Sequence, residues 1–312
     1  MDDPKSVLLP LVTIVTVNYD QPEVTCELLR SLSKITYPSI EIIVVDNASP
    51  TRPPDMIAEQ FPKVRLIRSN ANLGFAGGNN LGIHEAHGSY LLLINNDTEV
   101  EPGFLEPLIQ KLERDPTIGA VSPKIRYFYQ KDTIQFAGFT PMNPITIRNR
   151  GIGFNEKDDG QYDEDRETSF AFGAAMLLPV QVVKKVGLMA DIFFLYYEEL
   201  DWIQRIRDAG YRILYIHNSI VYHKDSITTG SLSPLKIYYL NRGRILYMRR
   251  NIHGKTALLS ILYQIFIAVP KNLSVFLLKG QFSLFKAYAR AMGWHLKNCC
   301  NPALHQSPHL NT

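Results

Sequence analysis

The sequence predicts an α/β protein built on a doubly wound, mostly parallel sheet flanked by helices. Three observations carry that reading. Short runs apolar on both faces recur at Leu11 to Val17, Ile40 to Val45 and Tyr90 to Ile94, as expected of buried parallel strands. Helical periodicity separates them, so strand and helix alternate. Each run also stops abruptly in amides and carboxylates: Asn18-Tyr19-Asp20, Asp46-Asn47-Ala48-Ser49 and Asn95-Asn96-Asp97. In an open α/β sheet those carboxyl ends are where ligands bind.

Taken in order, Leu11 to Val17 is the first strand, and Pro22 opens a helix with Val24, Leu28 and Leu32 on one side. Ile40 to Val45 is the second strand and Val64 to Arg68 a short third. A glycine and asparagine loop from Asn70 to Gly82 then runs into a short helix; it includes Asn72, Gly74, Gly78 and Asn79. Glycines allow a backbone to approach a ligand closely, and a helix amino end favours phosphate. A flexible connection is the plainer reading of such a loop. Its position is more informative, because it leads directly into the strand that ends at Asp97.

Phe104, Leu105, Leu108, Ile109 and Leu112 mark the next helix, and residues 127–167 then lose periodicity, as expected of an acceptor site or lid. Phe170 to Leu178 reads as a small-residue strand around Gly173. Tyr211 to Tyr222 gives a last strand that delivers His223.

Asp97 with Asn95 and Asn96 beside it is an oxygen-ligand set suited to Mg²⁺ or Mn²⁺, ions that complete their shell with substrate phosphates. A polar turn capping the next helix is the plain alternative. His223 ends a strand where a second ligand is needed, although a single histidine is more often structural. Glu198-Glu199 emerges from Phe193-Phe-Leu-Tyr-Tyr197. Helical spacing pairs Asp201 with Arg205 and puts Glu199 on the face of Trp202, Ile203 and Ile206. A carboxylate on an apolar face is desolvated, which raises its pKa and suits it to accept a proton. Solvated surface charge is the ordinary reading of such a pair.

The 312 residues carry a net charge of +3 that conceals an asymmetry. Residues 226–312 contain eleven Lys or Arg and no Asp or Glu, so the preceding residues hold 22 basic side chains against all 30 acidic ones. The second part should prefer an anionic surface. From Leu235 a basic helix with aromatic anchors leads into Thr256 to Leu278, an apolar run interrupted at Pro270-Lys271-Asn272. About 20 continuous apolar residues are needed to span a bilayer, so an interfacial or re-entrant hairpin is expected. The length of this run favours lipid over nucleic acid as the anionic partner. The sequence divides into an α/β domain at 8–232, a membrane-associating helical region at 233–298 and a disordered tail at 299–312. Cys26, Cys299 and Cys300 have neither metal-ligand nor disulfide spacing, which fits a reducing compartment. The run Val7 to Val17 lacks a cationic leader, and no signal peptide is expected there.

These stretches together resemble the family 2 glycosyltransferases, which have the glycosyltransferase-A fold, and especially their rhamnosyltransferase-like branch. The matching residues are Val15-Thr-Val-Asn18-Tyr19, Ile43-Val-Val-Asp46-Asn47-Ala-Ser49, Asn72 to Gly82, Leu93-Ile-Asn95-Asn96-Asp97, Tyr197-Glu198-Glu199-Leu-Asp201 with Arg205, and Val221-Tyr-His223. The resemblance implies an inverting transfer of a sugar, rhamnose or another hexose, from a nucleoside diphosphate to a hydroxyl of a lipid-linked or polysaccharide acceptor. Asn18, Asp46, Asn47 and the Asn72–Gly74 segment would form the nucleotide edge. Asp97 and His223 would hold the divalent metal, with Asn95 in place of the first aspartate of the metal motif. Glu198-Glu199 would be the acidic pair that holds the general base. The implied location is the cytoplasmic face of the plasma membrane, peripheral or re-entrant.

A nicotinamide dehydrogenase is excluded by the first turn, where Asn18-Tyr-Asp-Gln-Pro22 lacks the glycines that a pyrophosphate requires. A catalytically inactive relative acting as a membrane scaffold stands as the alternative.

Overall fold

The computed structural model describes residues 9–224 and 232–308. Strand β1 (Val12–Asn18), helix α1 (Pro22–Leu32), β2 (Ile40–Asp46), α2 (Asp55–Gln60), β3 (Arg65–Arg68), α3 (Gly74–His84) and β4 (Tyr90–Ile94) form the predicted alternation. β5 (Thr98–Val100), α4 (Leu105–Arg114), β6 (Ile118–Tyr127), β7 (Thr133–Phe136), β8 (Glu156–Lys157) and β9 (Arg166–Glu167) follow. Then come β10 (Ala175–Pro179), α5 (Val180–Val186), α6 (Glu198–Asp208) and β11 (Arg212–His223). The main sheet runs β3-β2-β1-β4-β10-β6-β11-β5. β3, β2, β1 and β4 pair in parallel.

Chain order reverses between β1 and β4, the switch point where the crevice of a doubly wound sheet opens. β1 and β4 are apolar almost throughout because helices cover both faces: Ile14, Leu28 and Leu92 belong to one core, and Val15, Leu93 and Ile203 to the other. Gly82 lets α3 lie on this sheet, since a Cβ there would stand 2.4 Å from Val15.

The far half of the sheet is mixed. β10 inserts antiparallel between β4 and β6, a direction that an apolar run does not encode. The strand expected over Phe170 to Leu178 begins only at Ala175, because Phe172 bridges Ala175 across a tight turn. Gly173 and Ala174 therefore stand in a loop. The aperiodic stretch 127–167 is ordered by a buried ion-pair network. Lys124 and Arg126 of β6 both reach Asp158, and Lys124 also reaches Asp163.

The carboxyl-terminal part packs onto this body. α7 (Pro234–Asn251) is followed by a continuous helix formed by α8 (Gly254–Tyr263), a π-helical turn (Gln264–Ala268) and α9 (Val269–Leu278). The interruption expected at Pro270 does not occur. The wider turn just before the proline accommodates its missing N–H without breaking the rod. α10 (Phe282–Lys297) returns along α9 and α7. The predicted disordered tail is ordered as far as residue 308: Leu304 is fully buried and its carbonyl accepts from Arg250. Residues 309–312 of that tail lie outside the described residues.

Asp201 of α6 ties these parts together. Its carboxylate is fully buried and receives Arg205 Nε at 3.1 Å, Arg250 Nε at 2.7 Å and Asn251 Nδ2 at 2.9 Å. The predicted i, i+4 pair is thus present, with a second arginine brought by α7. Removing one partner of a buried ion pair leaves uncompensated charge and costs about 3–5 kcal/mol. Asp201→Ala is therefore expected to lower the unfolding free energy by that order in denaturant titration, with Asp201→Asn intermediate. A loss within the ~1 kcal/mol of a surface ion pair would refute this role.

Candidate active site

A cavity of about 440 Å³ opens at the switch point, within the range of small-molecule sites. The ends of β1 and β4, the start of α3, the loop before β10, the start of α6, the end of β11 and the first turn of α7 all line it. Of the residues singled out from sequence, Asn47, Asn72, Gly74, Asn79, Asn95, Asn96, Asp97, Glu198, Glu199 and His223 line this one space. Asn18, Asp46, Gly78, Asp201 and Arg205 do not.

Asn18 and Asp46 stand behind the wall, paired across the β1–β2 register. Asn18 Nδ2 donates to Asp46 Oδ1 at 2.7 Å, and Ser49 Oγ donates to the same oxygen at 2.5 Å. Asn18 Oδ1 accepts from Thr25. These side chains fix the two strand ends and satisfy one another.

Asn47 does the same for the glycine loop. Its Nδ2 donates to Asn72 Oδ1 at 3.1 Å and to the Gly74 carbonyl at 2.9 Å, and its Oδ1 accepts from Leu73 N–H at 2.8 Å. Gly78 keeps the contact close, because a Cβ there would meet Val17 at 3.0 Å.

Asp97 and His223 come from strands far apart in sequence and meet because β11 pairs with β5 just after Asp97. His223 Nε2 lies 3.1 Å from Asp97 Oδ1, and both residues are buried. His223 Nδ1 lies 2.8 Å from Gln135 Oε1 on β7. In the tautomer whose Nδ1–H donates to Gln135, Nε2 presents its lone pair on the side of the Asp97 carboxylate, where a cation can be held between the two. Fixing one ring nitrogen so that the other faces a metal is the usual outer-shell arrangement of a ligating histidine. The pair therefore fits a divalent ion as two protein ligands. Among the described residues no group of three or more His, Cys, Asp or Glu gathers here, so the remaining positions would fall to water or substrate oxygens.

Glu198 and Glu199 begin α6 behind a strained approach. Phe194, Tyr196 and Tyr197 have φ of 64°, 66° and 75°, in the left-handed region that side chains rarely adopt. Two glycines grip this segment. A Cβ on Gly74 would stand 2.1 Å from the Phe194 carbonyl oxygen, and one on Gly243 of α7 would stand 2.6 Å from the Tyr196 oxygen. Phe75 N–H donates to the Phe194 carbonyl at 2.6 Å, and Arg242 Nη2 donates to the Phe193 carbonyl at 2.5 Å.

Burial, then the neighbouring Glu199 charge, holds the Glu198 carboxyl well above the ordinary carboxylate range. Its Oε2 has no hydrogen-bond partner among the described residues. Glu199 is also raised, by burial, but it is only partly buried at the cavity wall and faces Gly173, where a Cβ would lie 3.5 Å from its Cγ. The desolvation of Glu199 that the helical spacing predicts is present, and a heavier one falls on Glu198.

Sequence reasoning missed several residues of this space. Phe172, in the loop before β10, lines the cavity and packs its ring edge-on against His223 at 6.3 Å, while Gln135, from the aperiodic stretch, meets His223 without lining the cavity itself. Lys236, on the first turn of α7, is the one Lys or Arg among the described residues that line the cavity. Only its place at the head of a basic helix hinted at it.

A cavity at the switch point of a mixed sheet of this kind is the arrangement of the glycosyltransferase-A fold. Two solved structures share the fold. A Pyrobaculum calidifontis mannosyltransferase in complex with GDP-mannose and Mn²⁺ matches with TM-score 0.55 and 18% identity over 94% of this chain and 77% of that one. GalNAc-T7 with UDP, GalNAc and Mn²⁺ matches with TM-score 0.66 and 15% identity over 95% and 59%. The chain belongs to glycosyl transferase family 2, whose sequence profile matches residues 13–187. It is 24% identical over 246 residues to the N-acetylglucosaminyl-diphospho-decaprenol L-rhamnosyltransferase of Mycobacterium tuberculosis, covering 70% of this chain and 78% of that protein. It is 26% identical over 217 residues to the low-salt glycan biosynthesis hexosyltransferase Agl10 of Haloferax volcanii, covering 67% and 66%.

A carboxyl whose folded pKa is raised stabilises the fold only while protonated. That contribution is complete below its ordinary value of 4.5 and is lost as pH rises through the folded pKa. Glu199 acts with the same sign. Glu198→Gln should therefore be more stable than wild type at neutral pH, with the gain shrinking toward pH 4.5. Denaturant titration of both proteins across pH checks this, and a pH-independent difference would contradict it.

Proposed function

We propose that the chain transfers a hexose, rhamnose first among the candidates, from a nucleoside diphosphate to a hydroxyl of a lipid-linked or polysaccharide acceptor, inverting the anomeric carbon. The observation that carries this reading is the convergence of Asn95–Asp97, His223 and Glu198–Glu199 on one cavity. The rhamnosyltransferase relative supports the sugar and the lipid-linked acceptor.

The nucleotide would lie along Asn47, Asn72, Gly74 and Asn79, with Asn18, Asp46 and Gly78 fixing the strand ends and helix behind them. Its diphosphate would reach the Asp97–His223 pair, with the Lys236 ammonium facing the same space. Bound there by Asp97 and His223, a divalent Mg²⁺ or Mn²⁺ ion supplies positive charge beside the leaving diphosphate oxygens. Glu199 takes the proton from the acceptor hydroxyl as that oxygen attacks the anomeric carbon, opposite the departing diphosphate. Glu198 keeps its own proton, so the pair carries a single charge, and that charge rests on the more accessible carboxylate. Two acids pushed apart by their surroundings thus take separate roles. Asp201 and Arg205 support the helix that presents them. The basic carboxyl-terminal part would keep the enzyme on an anionic membrane surface at the cytoplasmic face, where lipid-linked acceptors are met.

Incubation of the purified protein with a panel of sugar nucleotides and a polyprenyl diphosphate-linked acceptor, reading nucleoside diphosphate release, tests this. Release that requires both substrates is expected, and Glu199→Gln should lower it by about 10²–10⁴-fold while donor binding persists. Full activity in Glu199→Gln with loss in Glu198→Gln would move the base to Glu198. Failure to bind any pyrimidine nucleoside diphosphate in calorimetric titration, with or without Mn²⁺, would favour the inactive scaffold. Asp97→Asn and His223→Ala should each weaken the Mn²⁺ dependence of that binding.

A further inference from the structure

The helix Gly254–Leu278 is 25 residues long and apolar enough to cross a membrane. At 1.5 Å per residue it would measure about 37 Å, against a hydrocarbon thickness of about 30 Å. Its contacts argue against crossing. Ser260 Oγ donates to the Ile145 carbonyl at 2.9 Å and Gln264 Nε2 reaches the same oxygen at 3.5 Å, both side chains being buried against the catalytic body. Two side chains one turn apart, Ser260 and Gln264, thus hold the helix against the loop at 143–147. Only about 21 Å is left beyond them, too little to cross.

That remainder is tied down as well. Val269, Leu273 and Phe276 pack on Leu284 and Tyr288 of α10, and Asn272 Nδ2 donates to Tyr288 Oη at 3.1 Å. α10 itself is fastened to α7 through His295 and the Arg242 carbonyl, 2.9 Å apart. A spanning helix would have to pull this whole arrangement through the hydrocarbon.

The opposite side of the rod is bare. Leu258, Leu259, Ile265, Phe266 and Leu278 are all more than half exposed, Phe266 at 71%. Exposed Lys255, Lys271 and Lys279 lie on the same rod, within a stretch of eleven cations and no acid after residue 225. A second copy of this chain would bring the same cations against it, so the complementary partner is anionic and apolar together.

We infer that Gly254–Leu278 lies in the plane of an anionic lipid bilayer with its bare side among the acyl chains, and that the catalytic body rests on the same leaflet without any segment of this helix crossing. The inference deepens the membrane-surface part of the proposed function and rests on it. The seating also bears on the cavity, because Tyr197 Oη donates to the Ile147 carbonyl at 3.1 Å and Tyr197 directly precedes Glu198. The loop that receives the membrane helix thus holds the residue that starts α6.

The full chain should co-sediment with phosphatidylcholine vesicles containing phosphatidylglycerol, and at least ~10-fold less with phosphatidylcholine alone. Phe266→Glu should lower binding to the anionic vesicles by ~10-fold or more while nucleoside diphosphate release with a water-soluble acceptor is unchanged. In proteoliposomes, single cysteines placed by Thr256→Cys and Ser283→Cys, with the three native cysteines replaced by serine, should both react with a membrane-impermeant maleimide added outside. Reaction of one cysteine only after the vesicles are opened would establish a span and overturn the inference. So would unchanged vesicle binding by Phe266→Glu, or dimerisation in solution with no binding to either vesicle. Loss of the transferase reading would show differently, as no diphosphate release by wild type under any condition.

Discussion

The structure depends on one constraint, the backbone of residues 194–197. Three residues with side chains are held at positive φ, each at a cost of about 1–3 kcal/mol. They persist because neighbours on two sides leave no other path. Gly74 admits the Phe194 carbonyl, Gly243 admits the Tyr196 carbonyl, and Phe75 N–H and Arg242 hold the intervening chain from opposite directions. Helix α3 from the first half of the sheet and α7 from the carboxyl-terminal part thereby meet on a single segment. That segment ends where Glu198 and Glu199 begin.

Held this way, the glutamates enter their helix without a side-chain cap, and the first turn faces the cavity. The strain has an electrostatic counterpart. Taking a carboxyl out of water favours its neutral form, and Glu198 is desolvated more completely than Glu199. A rigid approach is what keeps two adjacent acids in such different surroundings, since a looser one would let both turn toward water.

Much of this was legible because buried parallel strands write themselves as apolar runs. β1, β2 and β4 and their polar ends appear in the sequence as they stand in the fold. Asp97 and His223 could be found because each stands at the end of such a strand, and the glutamate pair because it follows the aromatic run Phe193–Tyr197. Gln135, Phe172 and Lys236 could not, because they come from a short strand, a loop and a helix start whose partners are set only by tertiary pairing. The direction of β10 was equally hidden: an apolar run of that length suits either orientation. Asn18 and Asp46 show a different outcome. Polar residues at a strand end suggested contact with ligand, yet their hydrogen bonds close on each other and on Ser49. Pro270 misled for a local reason, since sequence gives no sign of the π-helical turn that absorbs it.

The boundary drawn from sequence near residue 233 follows a change of composition, and α7 argues for moving it. The first turn of that helix contributes Leu235 and Lys236 to the cavity. Its middle presents Gly243 to the Tyr196 carbonyl, and Arg244 Nε donates to Tyr197 Oη at 3.0 Å. Its last turn places Arg250 and Asn251 on the buried carboxylate of Asp201. A helix that touches the cavity, the strained segment and the ion pair beneath α6 belongs to the catalytic body, and its cations are largely occupied there. From Gly254 the buried face gives way to an exposed apolar one. Basic charge in this chain is therefore divided: the arginines of α7 hold the site together, while Lys255, Lys271 and Lys279 beyond it stand exposed.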